Sequence, residues 1–315
     1  TEASFFVKAT QNLTPQLTGF LDLQVRGIDY SVDGTISGPQ AFKVEDQFTF
    51  FNPKAGLTYR LSQKQNLYFS YAKAQREPNR TDYENGNPKP EKLNDFEFGW
   101  RMKNEKTQVQ ANLYWMEYQD QLVLTGALDE VGAPIRQNVG ESRRVGLEVD
   151  ATIQLATQWL WKPNLALSSN QNLDFYFKRD GILQSLGKTQ LAFSPNVVAG
   201  NALVFAPSTG FQIGVLSKYV GKQYMGNIDS ENSTLAAYFV SDINAVFIWQ
   251  PNKWVKEIQW TTMINNIFNL KYESNGYFYT YDDDFSNPGQ TLTIEGAGYY
   301  PQAGIHFLSG LTITF

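Results

Sequence analysis

The sequence predicts an all-β protein, and more narrowly a transmembrane antiparallel up-and-down β-barrel. Three observations carry that prediction. Apolar and polar residues alternate with a period of two over most of the chain, the alternating segments are long, and the connections between them are in turn very short and long.

The alternation is clearest at the C-terminus. From Gly304 onward, Ile305, Phe307, Leu311, Ile313 and Phe315 share one face, and Gly304, His306, Gly310, Thr312 and Thr314 share the other. Leu308 and Ser309 break the pattern once. The same period recurs where Val109, Ala111, Leu113 and Trp115 alternate with Gln108, Gln110, Asn112 and Tyr114. It recurs again where Val145, Leu147, Val149, Ala151, Ile153 and Leu155 alternate with Gly146, Glu148, Asp150, Thr152 and Gln154. Upstream, Phe96, Phe98, Trp100 and Met102 alternate with Asp95, Glu97, Gly99 and Arg101. The polar faces carry Glu, Asp, Arg and Gln, which a dry interior does not accept unpaired. The apolar face is therefore the one turned to an apolar medium.

Marked out in this way, about thirteen strands lie near 3–10, 16–31, 47–60, 64–76, 93–103, 106–120, 143–156, 158–170, 195–206, 210–222, 238–249, 254–266 and 301–315. Most run to about ten residues, the length a tilted membrane strand needs, where strands of globular proteins cluster near 5–6. No apolar run approaches the roughly 18 residues of a membrane helix; Leu235 to Val240 is among the longest. A membrane protein of this composition crosses with strands.

The connections fix the topology. Those at 11–15, 62–63, 103–106, 157, 207–209 and 250–253 are short, and those at 32–46, 77–92, 121–142, 171–194, 223–237 and 267–300 are long. In an up-and-down sheet, alternate connections lie at the same end. All tight turns thus gather at one end and all long loops at the other, the asymmetry of bacterial barrels with short periplasmic turns and long extracellular loops. With Phe315 at the periplasmic rim, every long loop is extracellular and strand 3–10 also descends. Complete bacterial barrels have even strand numbers, so an odd count predicts further barrel strands upstream.

Composition excludes other classes. Of 315 residues, 18% are charged and 15% aromatic (17 Tyr, 22 Phe, 7 Trp), against about 25% charged in ordinary soluble domains. The net charge of −5 has no basic cluster, which argues against nucleic acid as a partner. With no cysteine, disulfides, thiolate metal sites and thiol nucleophiles are excluded. The N-terminal Thr-Glu-Ala-Ser-Phe-Phe has no signal-peptide character. No Gly-rich phosphate loop precedes a helix.

Five segments resemble the C-terminal barrel of TonB-dependent outer-membrane receptors of the ferric-siderophore type. They are Leu67-Tyr68-Phe69-Ser70-Tyr71-Ala72 followed by Arg76-Glu77-Pro78; Lys89-Pro90-Glu91-Lys92; Asn138-Val139-Gly140-Glu141-Ser142-Arg143-Arg144-Val145-Gly146-Leu147-Glu148; Asn265-Asn266-Ile267-Phe268-Asn269-Leu270-Lys271-Tyr272; and Tyr300-Pro301-Gln302-Ala303-Gly304 with the terminal Leu311-Thr312-Ile313-Thr314-Phe315. The resemblance implies a barrel of about 22 strands, of which residues 1–315 are one C-terminal domain, with the upstream strands and the N-terminal plug absent. It also implies import of a scarce nutrient, mostly a ferric siderophore, on energy from the TonB complex acting through the missing N-terminal part. Phe315 resembles the aromatic signal read by the barrel-assembly machinery.

Candidate ligand-binding residues lie in the long loops. Arg76, Arg80, Arg136, Arg143 and Arg144, with Lys178 and Arg179, offer charge-assisted contacts to an anionic iron chelate. The alternative for these is pairing with lumen carboxylates or lipopolysaccharide. Tyr83, Tyr277, Tyr279 and Tyr281 offer stacking to a planar or catecholate ligand, or form part of an interfacial girdle. Asp282, Asp283 and Asp284 are hard-cation ligands by type, but without the spacing of a full calcium loop they read first as a solvated acidic tip and only second as a cation site. His306, the single histidine, faces the lumen as a structural hydrogen-bonder; a protease or phospholipase would need clustered catalytic groups, so no enzyme and no cofactor are expected. Expected partners are outer-membrane lipid and lipopolysaccharide, a small iron chelate, TonB, the missing half of the barrel and a surface lipoprotein. Rival cargoes are cobalamin, haem or an oligosaccharide, and a rival class is a passive porin or structural barrel.

Overall fold

A computed structural model describes residues 1–35, 41–128, 132, 134–251 and 254–315. The strands are β1 (Glu2–Asn12), β2 (Leu17–Thr35), β3 (Ala41–Ser62), β4 (Gln65–Arg76), β5 (Glu91–Lys103), β6 (Thr107–Leu128), β7 (Pro134–Ala156), β8 (Trp159–Arg179) and β9 (Ile182–Gln190). They continue with β10 (Val197–Ser208), β11 (Phe211–Val220), β12 (Gln223–Tyr224), β13 (Thr234–Leu235), β14 (Tyr238–Trp249), β15 (Glu257–Asn265), β16 (Glu273–Asp283), β17 (Leu292–Pro301) and β18 (His306–Thr314). One short helix, α1 (Arg80–Glu84), sits in the loop after β4, closed by a capping box between Asn79 and Asp82.

Thirteen strands form the continuous antiparallel path β1-β2-β3-β4-β5-β6-β7-β8-β10-β11-β14-β15-β18. These correspond one for one to the thirteen expected segments. Neighbours in sequence are neighbours in space, as short turns require. The sheet does not close: β1 and β18 each pair on one side only among the described residues.

The two faces separate as the alternation requires. Phe69, Phe96, Phe98, Leu113, Trp115 and Leu167 are among the exposed apolar residues of the outward face. On the other face Tyr68 pairs with Gly99, which pairs with Asn112, which pairs with Glu148. A Cβ at Gly99 would collide with the Tyr68 ring, so only glycine lets the ring lie across β5 and donate its hydroxyl to Asn112 Oδ1 at 2.9 Å. The Arg101 guanidinium stacks over that ring, 4.2 Å from its centre. His306 lies on this polar face, its ring 3.1 Å from the Asn265 amide and 2.9 Å from the Gly304 carbonyl, in the structural role expected.

The extents of the strands differ from expectation on the extracellular side. The β2–β3 pairing runs on to Thr35 and Ala41, and the β6–β7 pairing to Leu128 and Pro134, so strands expected to stop near 31, 120 and 170 continue well into the loops. Beyond the bilayer neither face meets lipid, and the two-residue polarity pattern that marked the strands fades while the backbone pairing continues. The expected loops 171–194 and 267–300 likewise contain the β8–β9 and β16–β17 hairpins. Parts of the expected loops 32–46 and 121–142 lie outside the described residues.

Candidate functional site

The extracellular end is a braced layer of loops with a small apolar core of its own. Val123, Phe175, Phe177, Leu191, Met225, Ile228, Leu235 and Phe278 come together from β6, β8, the residue after β9, the 225–235 segment and β16. The buried Asn172 on the lumen face of β8 and the carbonyl of Leu124 are both bound by the Asn227 amide, which fixes the 225–235 segment against the lumen side of the wall.

The β16–β17 hairpin lies over this segment with one face. Phe278 enters the core, and Thr280 forms a single parallel bridge with Ala127 at the tip of β6. Glu295 is the hub of the contact: Arg179 donates to it at 2.9 Å, Asn232 at 3.0 Å, and the Ser230 hydroxyl as well. Burial alone would raise the Glu295 carboxyl, but the hydrogen bonds from Ser230, Arg179 and Asn232 outweigh it and hold the group below the usual range. Asp180 and Thr293 exchange two bonds of 2.7 Å, and Lys178 pairs with Asp282 at 3.4 Å.

Among the described residues, the opposite face of the hairpin contributes nothing to this core or to the Glu295 contacts. It carries Tyr277, Tyr279 and Tyr281 at successive two-residue steps, their near-parallel rings 6.3 and 6.5 Å apart, with Tyr300 6.0 Å from Tyr277. Gly298 and Gly296 lie opposite Tyr277 and Tyr279 on β17, and a Cβ at either would strike the facing ring. The glycines let the rings lie across the neighbouring strand. About half the surface of Tyr277, Tyr281 and Tyr300 is exposed. The result is a row of three phenol rings turned away from the wall.

Most candidate cations are already paired. Arg76 meets Glu91 at 2.5 Å, Arg80 meets Glu84 at 2.6 Å, and Arg136 meets the buried Asp82 at 3.2 Å. Tyr83 is buried, donates to Asp46 at 2.6 Å and stacks on Tyr30, which makes it a loop anchor; burial, then the Asp46 carboxylate, push its pKa up. Arg143 and Arg144 are adjacent in sequence and so face opposite ways. Arg143 points outward with Glu117 at 3.1 Å, whereas Arg144 points to the lumen and stacks on Tyr118 at 4.4 Å. Among the described residues Arg144 has no carboxylate partner. It lines a cleft of about 340 Å³ with Arg76, Glu91, Tyr118 and Leu122.

The three aspartates are not brought together. Asp282 is engaged by Lys178 and Thr293, Asp283 accepts from the backbone of Phe285 and Ser286, and no group of three metal-ligating side chains occurs among the described residues. Sequence reasoning missed Glu295, Tyr118 and Tyr300. The run Tyr277-Phe278-Tyr279-Thr280-Tyr281, inside the expected loop 267–300, carries a β-strand signal of alternating aromatic residues.

The family model described as "TonB dependent receptor-like, beta-barrel" matches residues 1–270. No curated protein matches the sequence. Solved structures with the same fold include the copper transporter OprC (TM-score 0.73, 19% identity, covering 100% of this chain and 47% of that one). They include the siderophore receptor PiuA from Acinetobacter baumannii (0.73, 16%, 99% and 43%) and the ferric yersiniabactin uptake receptor FyuA from Yersinia pestis (0.68, 15%, 100% and 46%). The chain thus spans less than half the length of each, and at these identities the likeness is one of fold.

Proposed function

The chain belongs to the TonB-dependent receptors, as part of their β-barrel in the bacterial outer membrane, and from that premise we propose that it serves the uptake of a ferric siderophore on TonB-derived energy. We further propose that residues 1–315 form one C-terminal barrel domain, completed by strands and a plug outside it. Two open sheet edges support this reading, because unpaired backbone groups are not tolerated in lipid. The coverage of the solved structures supports it too.

The observation that carries the cargo is the tyrosine row. Three rings in register on a braced hairpin suit stacking on the aryl or planar groups of an iron chelate, while Arg144 in the cleft, which has no carboxylate partner among the described residues, suits its anionic charge. The paired arginines Arg76, Arg80 and Arg136 hold the loops in place, and the aspartates serve the hairpin. A second reading has one specific support. The tyrosine face carries no cation, which also suits a neutral oligosaccharide.

The test is binding by the complete receptor, followed by quenching of its intrinsic fluorescence, with a panel of ferric catecholates, ferric hydroxamates, cobalamin, haem and linear oligosaccharides. Tightest binding to a ferric chelate, weakened about tenfold or more by Y277A/Y279A, supports the proposal. Binding to an oligosaccharide alone transfers it to the second reading.

A further inference from the structure

The seam between the loop that carries α1 and the β6–β7 hairpin encloses a cavity of about 400 Å³. Asp82, Asn87 and Lys89 line it from the loop, and Asp120, Arg136 and Gln137 line it from the hairpin. Its size falls in the range of small-molecule sites and far exceeds the roughly 30 Å³ that one water takes. None of these side chains belongs to the tyrosine row or to the Arg144 cleft.

The walls are fixed by bonds made behind them. Asp82 closes the capping box of α1, its Oδ2 accepting from the Asn79 amide at 2.9 Å. Asn138 binds the amide and the carbonyl of Lys89 and the carbonyl of Asp120, so the two sides of the seam keep one spacing.

What the walls leave unmet points to a ligand. The Asp82 side chain is only 2% exposed and lines the cavity, yet its Oδ1 receives no hydrogen bond among the described residues. The Arg136 guanidinium stands 3.2 Å from that oxygen without the alignment of a hydrogen bond. Across the seam, Lys89 Nζ stands 3.9 Å from Asp120 Oδ1, beyond hydrogen-bond distance. Each ion pair is close enough to cancel charge and too poorly matched to satisfy its own donors and acceptors. A hydroxyl completes such a pair, because it donates to the carboxylate and accepts from the cation at once. A ligand ammonium at either carboxylate would meet the neighbouring cation, and a ligand carboxylate at either cation would meet the neighbouring acid. The occupant is therefore neutral. Asn87 and Gln137 add amide groups that both donate and accept.

We propose that this cavity binds a neutral polyhydroxyl compound, a sugar residue or a polyol, through two hydroxyls. One bridges Asp82 and Arg136, and the other bridges Asp120 and Lys89. Among the described residues no aromatic ring lines the cavity, so recognition is by an edge of hydroxyls and not by stacking. The site is thus separate from the tyrosine face and independent of the cargo, and its occupant ties the α1 loop to the β6–β7 hairpin.

The experiment titrates the complete native receptor, in mild detergent, with D-glucose, D-galactose, D-mannose and myo-inositol in a calorimeter. At least one is expected to bind with a Kd below about 1 mM. D120N, which keeps a residue tolerant of the left-handed φ of 55° at that position, is expected to weaken it about tenfold or more. Monodeoxy analogues of the same ligand are expected to lose about as much at two positions, and Y277A/Y279A to leave binding unchanged. Should D120N fail to assemble, as read by heat-modifiable gel migration, the deoxy analogues carry the test on the parent chain alone. Competition by cell-surface polysaccharide marks a neighbouring glycan as the natural occupant, and its failure to compete marks a free sugar; either result keeps the site. No saturable heat from any of the four up to about 10 mM overturns the proposal. So does unchanged binding in assembled D120N, and so does loss of binding in Y277A/Y279A, which would put the sugar on the tyrosine face.

Discussion

At the scale of single residues, the motif positions turn out to be clamps. Asn138 accepts from the Lys89 amide at 2.7 Å and donates to the carbonyls of Lys89 and Asp120 at 2.9 and 2.6 Å, tying three chain segments where β6 leaves the wall. Asn266, almost fully buried with φ of 51°, accepts from Leu270 and donates to Leu270 and Ala303. Asparagine tolerates that left-handed backbone while its amide serves the turn. The sequence displayed these residues as motifs without saying what they hold. Glu295 was not legible at all, because its partners Arg179, Ser230 and Asn232 are up to 116 positions away. Its consequence is testable. Glu295→Gln removes the charge while Arg179 stays half-buried, and should cost the hairpin contact about 1–3 kcal/mol. The folded carboxyl titrates below its usual value, so its contribution is complete above the unfolded pKa of about 4.3. That contribution fades as the pH falls through the lower folded value. Hydrogen exchange over 273–301, corrected for intrinsic pH dependence, should be slow near pH 6 and rise below about pH 4 in the parent chain. In E295Q it should already be faster at pH 6.

At the scale of elements, the thirteen membrane strands were legible because lipid on one side and water on the other stamp a period of two on each. The same rule explains what was not legible. The extracellular halves of β2, β3, β6, β7 and β8 have no lipid side, and β16–β17 has a loop-facing side built from Gly276, Phe278 and Thr280. The glycines of that hairpin matter because of what crosses them. Gly296→Ala and Gly298→Ala each put a methyl into a tyrosine ring, so the ring must swing out and the row loses its spacing. Ligand affinity of the complete receptor should fall by about tenfold for G296A/G298A, with a calorimetric unfolding temperature close to that of the parent. Unchanged affinity would remove the tyrosine row from the cargo site. Phe315 belongs to this scale as well. It ends the outward row of β18 that holds Phe307, Leu311 and Ile313. If it is the assembly signal, F315A should lower the yield of heat-resistant barrel several-fold, with the folded fraction keeping normal ligand affinity.

At the scale of the whole molecule, the open sheet and the cargo are one problem. An up-and-down sheet of thirteen strands exposes two backbone edges, and closing it with further strands of the same tilt gives a lumen wide enough to need a plug. A plugged lumen conducts nothing by diffusion, whereas an unplugged one of that width would pass small solutes of any kind. The two architectures differ in what drives flux. A passive pore moves solute down its gradient at a rate linear in concentration and indifferent to inner-membrane energy. A receptor saturates at the occupancy of its loop site and stops when the energy source stops. Uptake of the radiolabelled ferric chelate by cells carrying the complete native gene should saturate, and a protonophore should abolish it within minutes while surface binding persists. If the rings act on capture and the energy on release, Y277A/Y279A should then shift half-saturation to higher concentration without altering sensitivity to the protonophore. Linear, protonophore-insensitive uptake would make the chain a passive barrel, and the braced tyrosine hairpin would then be a constriction over its mouth.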